Sequence, residues 1–405
     1  MTAQTARVIP APHLVALALA LLLGLQPLAT DMYLPAMPLI AQDLGAPMAA
    51  MQATMWALIL TFGLGQLVWG PVADRVGRRP VLLASLGLFW LASLGAWAAQ
   101  DFTVLIAWRA AQGACMAAAV VCARAMVRDL YEPHQGAHVM SLGLSGLGVI
   151  AFSSPMIGGL LSAHWGWRAP MGAVALGVGA TLLFVWHALP ETIPQRDPQA
   201  TRLRPLARTA ARVLRHPTFV AWAALIACTY GGLFTLLAAS AFVYIDVLGV
   251  SPAVYGFALG SGSIFYLIGT FWCRRWLLRH GLTGAVQRGA VFTLAGGLSM
   301  TALALAGVET VWAVLLPHWL YAFGHGIHQP CGQAGAVGPF PRSAGVASAL
   351  AGFLLCAVAA AVGLWLGQAL DGTVLPMALG LGFWAIMTAS VAWTLVRRHG
   401  DGAHA

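Results

Sequence analysis

The sequence is poor in charge and contains no lysine. Charged residues make up only 8% of the 405 residues and hydrophobic residues make up 60%, whereas a soluble domain carries roughly 25% charged residues. This composition excludes an ordinary soluble domain and predicts an integral membrane protein. All 21 basic residues are arginine, which excludes Schiff-base chemistry on a lysine and a phosphate-binding loop of the GK[ST] type. ATP-driven work within this chain is therefore excluded as well.

Cysteine motifs are also missing. The six cysteines lie in apolar segments, and no two of them have C-x-x-C spacing. We expect small core residues rather than disulfides or metal ligands, and we predict no metal site and no cofactor. We do not expect a cleavable signal peptide, because the first apolar run is too long for one and contains Asp31 and Pro35.

Long apolar runs recur along the whole chain. A spanning helix needs about 20 mainly apolar residues. A polar, arginine-rich stretch at 190–217 divides the runs into two sets of six, an arrangement typical of membrane transporters. The predicted fold class is all-α integral membrane, with twelve transmembrane helices in two pseudo-symmetric six-helix bundles, residues 1–189 and 218–405. The predicted spans are 13–40, 50–71, 80–99, 102–126, 137–162, 168–189, 218–245, 252–276, 286–307, 311–337, 343–370 and 373–396.

The linker at 190–217 has two interpretations. Its second part, with Arg208, Arg212 and Arg215 on one side, is compatible with a short helix on the cytoplasmic membrane surface. The alternative is a flexible basic linker.

The arginines predict the orientation of the chain. They accumulate on alternate loops, for example Arg75, Arg78 and Arg79 after the second span, whereas Arg168 stands alone on the opposite side. Because cytoplasmic loops are enriched in basic residues, both termini are predicted to be cytoplasmic. The net charge of +9 therefore reflects topology and attraction to anionic lipid rather than a nucleic-acid partner.

The stretch GPVADRVGRRPVLL at 70–83 predicts a charged latch between two spans. Gly70 and Gly77 allow a tight turn, and Asp74 can pair with Arg78, with Arg79 or with the N-terminus of a neighbouring helix. A plain basic anchor is the alternative, but it leaves the acid and the glycines unexplained. The candidate latch residues are Gly70, Asp74, Arg75, Gly77, Arg78 and Arg79.

This stretch resembles the signature loop of the major facilitator superfamily, GxxxDRxGRRxxL. RAAQGA at 109–114 is similar to the RxxQG pattern of that superfamily. GVIAFSSPMIGG at 148–159 is similar to its helix 5 antiporter pattern, although Ser154 stands where glycine is usual. TDMYLPAMP at 30–38 and PRSAGVASALAGF at 341–353 resemble the Bcr/CflA (bicyclomycin/chloramphenicol resistance) branch of drug:proton antiporters. The candidate antiporter residues of helix 5 are Gly148, Pro155, Gly158 and Gly159.

The resemblance implies a cavity between two six-helix halves, lined by helices 1, 4, 7 and 10. It implies alternating access, with exchange of protons for a small organic substrate across the bacterial inner membrane. We expect a monomer in the lipid bilayer, without a nucleic-acid partner.

Two opposite charges, Asp31 in helix 1 and Arg109 in helix 4, are predicted at similar depths near the middle of the membrane. If both face the cavity, they can pair directly, through water or in alternation. Apolar surroundings favour a neutral carboxyl and a nearby guanidinium favours a carboxylate, so the pair is a candidate for proton coupling and cation binding. The alternatives are a structural role for Asp31 near Pro35 and an arginine that only fixes helix 4.

Other polar and soft side chains are candidates for the cavity. Gln112 could orient Arg109 or contact substrate. Helix 10 carries a polar row, His318, Tyr321, His325 and His328, on one face. Histidine titrates near neutrality, so His325 or His328 could take part in transport. The alternative is that these histidines only form interhelical hydrogen bonds. Methionine and aromatic residues suit varied ligands, although each is also ordinary packing. The candidate cavity residues are Tyr33, Met55, Trp56, Gln112, Tyr230, His325 and His328.

The sequence thus predicts a proton-coupled exporter of multiple drugs or small organic solutes. A dedicated metabolite exporter or importer of the same fold is the first alternative. A membrane-embedded enzyme is the second, and we predict that the chain is not one, because its short loops contain no nucleophile–base pair.

Overall fold

The computed structural model describes residues 11–193 and 195–400, apart from the side chains at 48, 133, 134 and 137. All the regular secondary structure of the described part is helical, and ten of its helical segments are long and apolar enough to cross a membrane. Helices suit this setting because they satisfy every backbone polar group internally. The predicted cytoplasmic termini, residues 1–10 and 401–405, lie outside the described residues. The helices are α1 (Pro12–Thr30), α2 (Met37–Asp43), α3 (Met48–Val76), α4 (Arg78–Trp97), α5 (Phe102–Leu130), α6 (Pro133–Trp165), α7 (Arg168–Ala188), α8 (Leu203–Leu214), α9 (Pro217–Ala241), α10 (Pro252–Leu305), α11 (Val311–Val337), α12 (Ala344–Ala369), α13 (Leu375–Val391) and α14 (Arg397–His399).

The first predicted span, 13–40, is not one continuous helix. α1 ends at Thr30, residues 31–33 form a turn, and a short 3₁₀ segment, Leu34–Ala36, leads into α2. Pro35 has no N–H to continue the ladder, and proline disfavours helical geometry in the residue before it. Asp31 therefore lies where the helix breaks, and the 3₁₀ segment contacts α6, α9 and α10.

α10 is 54 residues long and covers two predicted spans, 252–276 and 286–307. Gly281, with φ 66° and ψ −175°, interrupts its helical geometry. Gly262 and Gly296, on either side of that break, both lie against the same turn of α11, at His318 and Pro317. α10 therefore folds back on itself at Gly281: its first part runs parallel to α11 and its second part runs antiparallel to α11.

Two long helix pairs join the first and second parts of the chain. α3 packs along α12, and α6 packs along the first part of α10. Glycines allow this closeness: at Gly363 an added Cβ would lie 2.8 Å from the Cβ of Trp56.

The linker contains the helix predicted in its second part, α8, which packs against α9 and α12. Before it, the chain passes beneath α3 and α4. There the Asp197 N–H donates to the Asp74 carbonyl at 3.0 Å, and Arg75 Nη1 donates to Thr201 Oγ1 at 2.7 Å. Whether α8 lies on a membrane surface stays a prediction.

Candidate functional site

Arg109 is buried between α1, α3 and α5, with only 1% of its surface exposed. Its Nη1 donates to the Ala29 carbonyl at 2.9 Å and to Gln112 Oε1 at 3.0 Å. Its guanidinium carbon lies 4.2 Å from the centre of the Tyr33 ring, and Nη2 lies 3.8 Å from Met55 Sδ. A cation–π contact of this kind stabilises a desolvated arginine. Three of the candidate cavity residues, Tyr33, Met55 and Gln112, thus surround Arg109.

Two hydroxyls that the sequence analysis missed hold this cluster in place. Gln112 Nε2 donates to Ser93 Oγ of α4 at 3.0 Å, which supports a role for Gln112 in orienting the arginine. The Tyr33 hydroxyl and Thr54 Oγ1 of α3 lie 2.7 Å apart. Nothing in the sequence marks Ser93 or Thr54, because their importance arises only from the packing of α3 and α4 on α5.

Asp31 does not form an ion pair with Arg109 in this conformation. Thr30 Oγ1 donates to its carboxylate at 2.7 Å, and the side chain is half-buried. Asp31 lies at the break at 31–33: Arg109 bonds to the Ala29 carbonyl before the break, and the 3₁₀ segment after it contacts α6, α9 and α10.

Arg109 therefore keeps one hydrogen-bond donor unused. Its Nε has no hydrogen-bond partner, and no carboxylate pairs with the guanidinium among the residues that the structure describes. A buried charge without an ionic partner is costly. The arrangement can accept a carboxylate, and Asp31 lies two residues beyond the carbonyl that Arg109 already contacts.

The second half contains a buried histidine cluster. Thr229 Oγ1 lies 3.1 Å from His325 Nδ1 and 3.4 Å from His328 Nδ1. His328 Nε2 lies 3.1 Å from the Val286 carbonyl, and its Nδ1 lies 3.4 Å from Thr293 Oγ1. Hydrogen bonds between α9, α10 and α11 thus occupy the two histidines, as the structural alternative for this polar row expects.

The remaining two cavity candidates lie apart from the arginine cluster. Tyr230 is 9% exposed, and its ring centre lies 6.4 Å from that of His325. Trp56 lies in the contact between α3 and α12, beside Gly363. The structure thus brings Tyr230 to the histidines and leaves Trp56 in helix packing.

The candidate latch is a turn between two helices rather than a long loop. α3 continues to Val76, so Gly70 lies inside a helix, and the expectation that it forms part of a tight turn was wrong. Pro71 does not end the helix, and only Gly77, with φ 120° and ψ 153°, separates α3 from α4.

Arg78 is the centre of this latch. Its side chain is 7% exposed and pairs with Asp74 at 2.6 Å and with Asp129 of α5 at 3.1 Å. Of the partners predicted for Asp74, the structure shows Arg78. Arg79 Nη2 instead donates to the Trp186 carbonyl at 2.8 Å. The latch joins α3, α4 and α5 and also reaches the end of α7.

Glu191 is a latch residue that the sequence analysis missed. Its carboxylate accepts backbone N–H groups from Arg78 at 3.0 Å and Arg79 at 3.3 Å, and from Thr192 and Ile193 at 2.9 and 3.1 Å. It thereby caps the N-terminus of α4, a position that favours negative charge. A Cβ at Gly77 would collide with this carboxylate, so Gly77 is needed for space as well as for its backbone angles.

The four candidates of predicted helix 5 lie in α6, and three of them form close backbone contacts. A Cβ at Gly158 would collide with the Met32 carbonyl, and one at Gly159 with the Pro252 carbonyl. The Pro155 carbonyl lies equally close to Gly256 of α10. The contact at Gly148 is less close, since an added Cβ would meet only the Leu267 side chain, at 3.4 Å.

Ser154, which replaces the usual glycine, is 1% exposed and donates to the Ile150 carbonyl at 2.7 Å. The serine hydroxyl thus bonds within α6 instead of occupying the contact with α10. Within residues 11–193 and 195–400, no group of three or more His, Cys, Asp or Glu side chains could hold a metal ion.

A model of the Major Facilitator Superfamily matches residues 19–364. The chain belongs to this superfamily. Its members are transporters, which confirms the prediction that the chain is not an enzyme.

Individual relatives agree with the predicted branch. The chain is 36% identical over 342 residues to multidrug resistance protein D of Escherichia coli (strain K12), covering 84% of each chain. It is 25% identical over 383 residues to a bicyclomycin resistance protein homolog of Haemophilus influenzae, covering 95% of this chain and 96% of the relative. The resemblance to the Bcr/CflA branch is thereby confirmed.

The crystal structure of the human organic anion transporter MFSD10 (TETRAN) has a similar fold. It superposes with a TM-score of 0.69 at 20% identity, covering 95% of this chain and 100% of that one. At this identity the likeness supports the fold alone.

Proposed function

We propose that this protein exports several drugs or small organic solutes and that inward proton flow drives the export. The observation that carries the proposal is the 36% identity to multidrug resistance protein D across 84% of both chains. Asp31, an acid inside a membrane span, is the residue through which we expect protons to act.

The architecture that we propose has twelve spans in two six-helix bundles, joined by residues 190–217. Ten segments qualify by length and composition. Two further observations support twelve. α10 folds back at Gly281, which divides it into two spans, and the 27-residue α11 packs between both of its parts although it carries the polar row. The arginine distribution supports cytoplasmic termini.

In the proposed coupling step, Asp31 exchanges partners. In the conformation described here the carboxyl accepts a hydrogen bond from Thr30 Oγ1. In the alternative conformation it pairs with Arg109, whose Nε is unsatisfied. Pairing with the guanidinium favours the ionised acid and releases a proton; separation from it favours proton uptake. The turn at 31–33 lies between the two halves and therefore links this exchange to their movement.

One proton is sufficient for useful export. An elementary charge that crosses 100 mV supplies about 2.3 kcal/mol, which supports roughly a 40- to 50-fold substrate gradient at about 1.4 kcal/mol per tenfold. We infer that no cofactor is required beyond the proton gradient and that the protein works as a monomer.

The latch and the helix 5 contacts have separate roles in the proposed cycle. Arg78, Asp74, Asp129 and Glu191 hold α3, α4, α5 and the linker together on the side of the arginine-rich loops. The contacts at Gly158 and Gly159 close the opposite side. Alternating access requires that one set opens while the other is closed.

Substrate-dependent efflux tests the proposal. Cells of a drug-sensitive bacterial host that express the protein should lose a preloaded fluorescent dye faster than control cells, and a proton uncoupler should abolish the difference. Retention of the effect under uncoupling would contradict proton drive. Efflux of one metabolite only, with no effect on dyes or antibiotics, would favour the dedicated carrier.

A further inference from the structure

The linker helix α8 has three distinct faces. The buried face consists of Leu206, Ala210 and Val213, of which Val213 is fully buried against α9 and α12. Beside it, Leu203, Ala207, Ala211 and Leu214 recur at helical spacing on an exposed apolar strip, with Leu203 81% and Leu214 41% exposed. The third face is basic, since Arg204, Arg208, Arg212 and Arg215 recur at spacings of four, four and three.

The basic face borders a groove of about 480 Å³ at the junction of α8 and α9. Three of the four arginines, Arg208, Arg212 and Arg215, line this groove. In the described part of the chain, none of these three guanidinium groups has an ion pair or a hydrogen bond. Three neighbouring cations without counter-charges favour an anionic ligand. The groove is lined by Arg208, Ala211, Arg212, Arg215, His216 and Pro217.

The position of the groove indicates where that anion comes from. Pro217 is the first residue of α9, a predicted span, and Val220 one turn further is 45% exposed. By helical spacing Val220 follows Pro217 on the same side of α9, and Leu214 ends the exposed apolar strip of α8 beside Arg215. A ligand that satisfies both features carries a phosphate at one end and acyl chains at the other. Helices with adjacent basic and apolar faces lie at the headgroup boundary of membranes.

We propose that Arg208, Arg212 and Arg215 bind the phosphate headgroup of an anionic phospholipid from the adjoining leaflet, with its acyl chains along Leu214 and Val220. The inference rests on the chain lying in a bilayer, and not on what the protein transports. It goes beyond general attraction to the membrane surface, because it assigns the headgroup to three named arginines at the start of α9.

The test uses the full-length protein purified in a neutral detergent, titrated with dioleoylphosphatidylglycerol or dioleoylphosphatidylcholine. Bound lipid is counted by native mass spectrometry. We expect the wild type to retain phosphatidylglycerol in preference to phosphatidylcholine. Each arginine replaced by glutamine should weaken the phosphatidylglycerol affinity about fivefold, and the three together about a hundredfold.

A charge-matched control separates a specific site from general electrostatics. The triple variant Arg342→Gln, Arg397→Gln and Arg398→Gln removes the same charge from exposed positions and should bind the lipid like the wild type. Both triple variants must elute as single species of the wild-type size, and the single variants provide the same comparison if the α8 triple variant does not fold.

Several outcomes would overturn the proposal. Equal retention of the two lipids, or equal losses in the two triple variants, would show that no specific lipid site exists. Equally tight binding of inorganic phosphate would indicate a free-anion site, and preferential binding of a soluble polyglutamate would indicate an acidic protein partner. None of these measurements depends on transport, so they are independent of the efflux assay.

Discussion

Replacement of Gly77 by alanine should open the latch. The backbone angles of Gly77, φ 120° and ψ 153°, belong to a region that other residues occupy only at a cost of about 1–3 kcal/mol. The added Cβ also displaces the Glu191 carboxylate, which removes two hydrogen bonds to the start of α4, worth about 1 kcal/mol each at a half-buried position. We therefore expect a loss of about 3–5 kcal/mol in the free energy of unfolding.

Unfolding by sodium dodecyl sulfate in mixed micelles, followed by tryptophan fluorescence, measures this loss. Gly87→Ala is the matched control, because Gly87 lies in α4 with nothing within 4 Å of an added Cβ. It should leave stability unchanged or raise it by up to about 1 kcal/mol.

A double-mutant cycle tests the reason given for the effect. Glu191→Ala alone should cost about 2 kcal/mol. If Gly77→Ala acts partly by displacing that carboxylate, the double variant should be about 2 kcal/mol more stable than the sum of the single effects predicts. Strict additivity, or a Gly77→Ala variant within about 0.5 kcal/mol of the wild type, would refute the reasoning.

Three further predictions concern transport. Asp74→Asn should slow efflux at least tenfold while the substrate Kd in detergent stays unchanged, because the acid lies in the latch and away from the Arg109 cluster; a parallel loss of binding would show that this separation is wrong. Gly159→Ala should reduce efflux severely because its Cβ meets the Pro252 carbonyl, whereas Gly148→Ala should retain most activity, and equal effects would contradict the helix 5 contacts described here. Arg109→Lys should recover only part of the efflux lost in Arg109→Ala, since an ammonium cannot make the contacts of a planar guanidinium; full recovery would reduce the role of Arg109 to its charge.

The sequence predicted the local parts of the site better than the distant ones. The pairs Asp74–Arg78 and Arg109–Gln112 are four and three residues apart, and helical spacing alone brings such residues together. Glu191 reaches the N–H of Arg78 from 113 residues away. No spacing rule identifies such a partner, because it depends on how the linker crosses the ends of α3 and α4.

The acid and the arginine show what the prediction from sequence left open. Counting residues gives depth, since each residue of a helix rises about 1.5 Å. It does not give the direction of a side chain at a break in the helix. Pro35 and Pro38 follow Asp31 within seven residues, and at the turn before them Asp31 bonds to Thr30 while Arg109 bonds to the Ala29 carbonyl.

The helices could be predicted from the sequence wherever the length of an apolar run determines them. The long apolar runs gave the helices, and the arginine-rich stretch gave the position of α8. The turn assigned to Gly70 was wrong, because a glycine permits a turn without requiring one. In α3, Pro71 is accommodated within the helix and only Gly77 ends it.

Substrate-induced proton release tests the central claim, that Asp31 carries the coupled proton, most directly. Purified protein in weakly buffered detergent is mixed with a transported drug, and released protons are followed with a pH indicator from pH 5 to 9. The wild type should release protons over part of this range, and Asp31→Asn should release none. Asp246→Asn, which removes an exposed acid in the π-helical segment Phe242–Val247 after α9, should behave like the wild type. Undiminished release from Asp31→Asn would contradict the account and direct attention to His325 and His328.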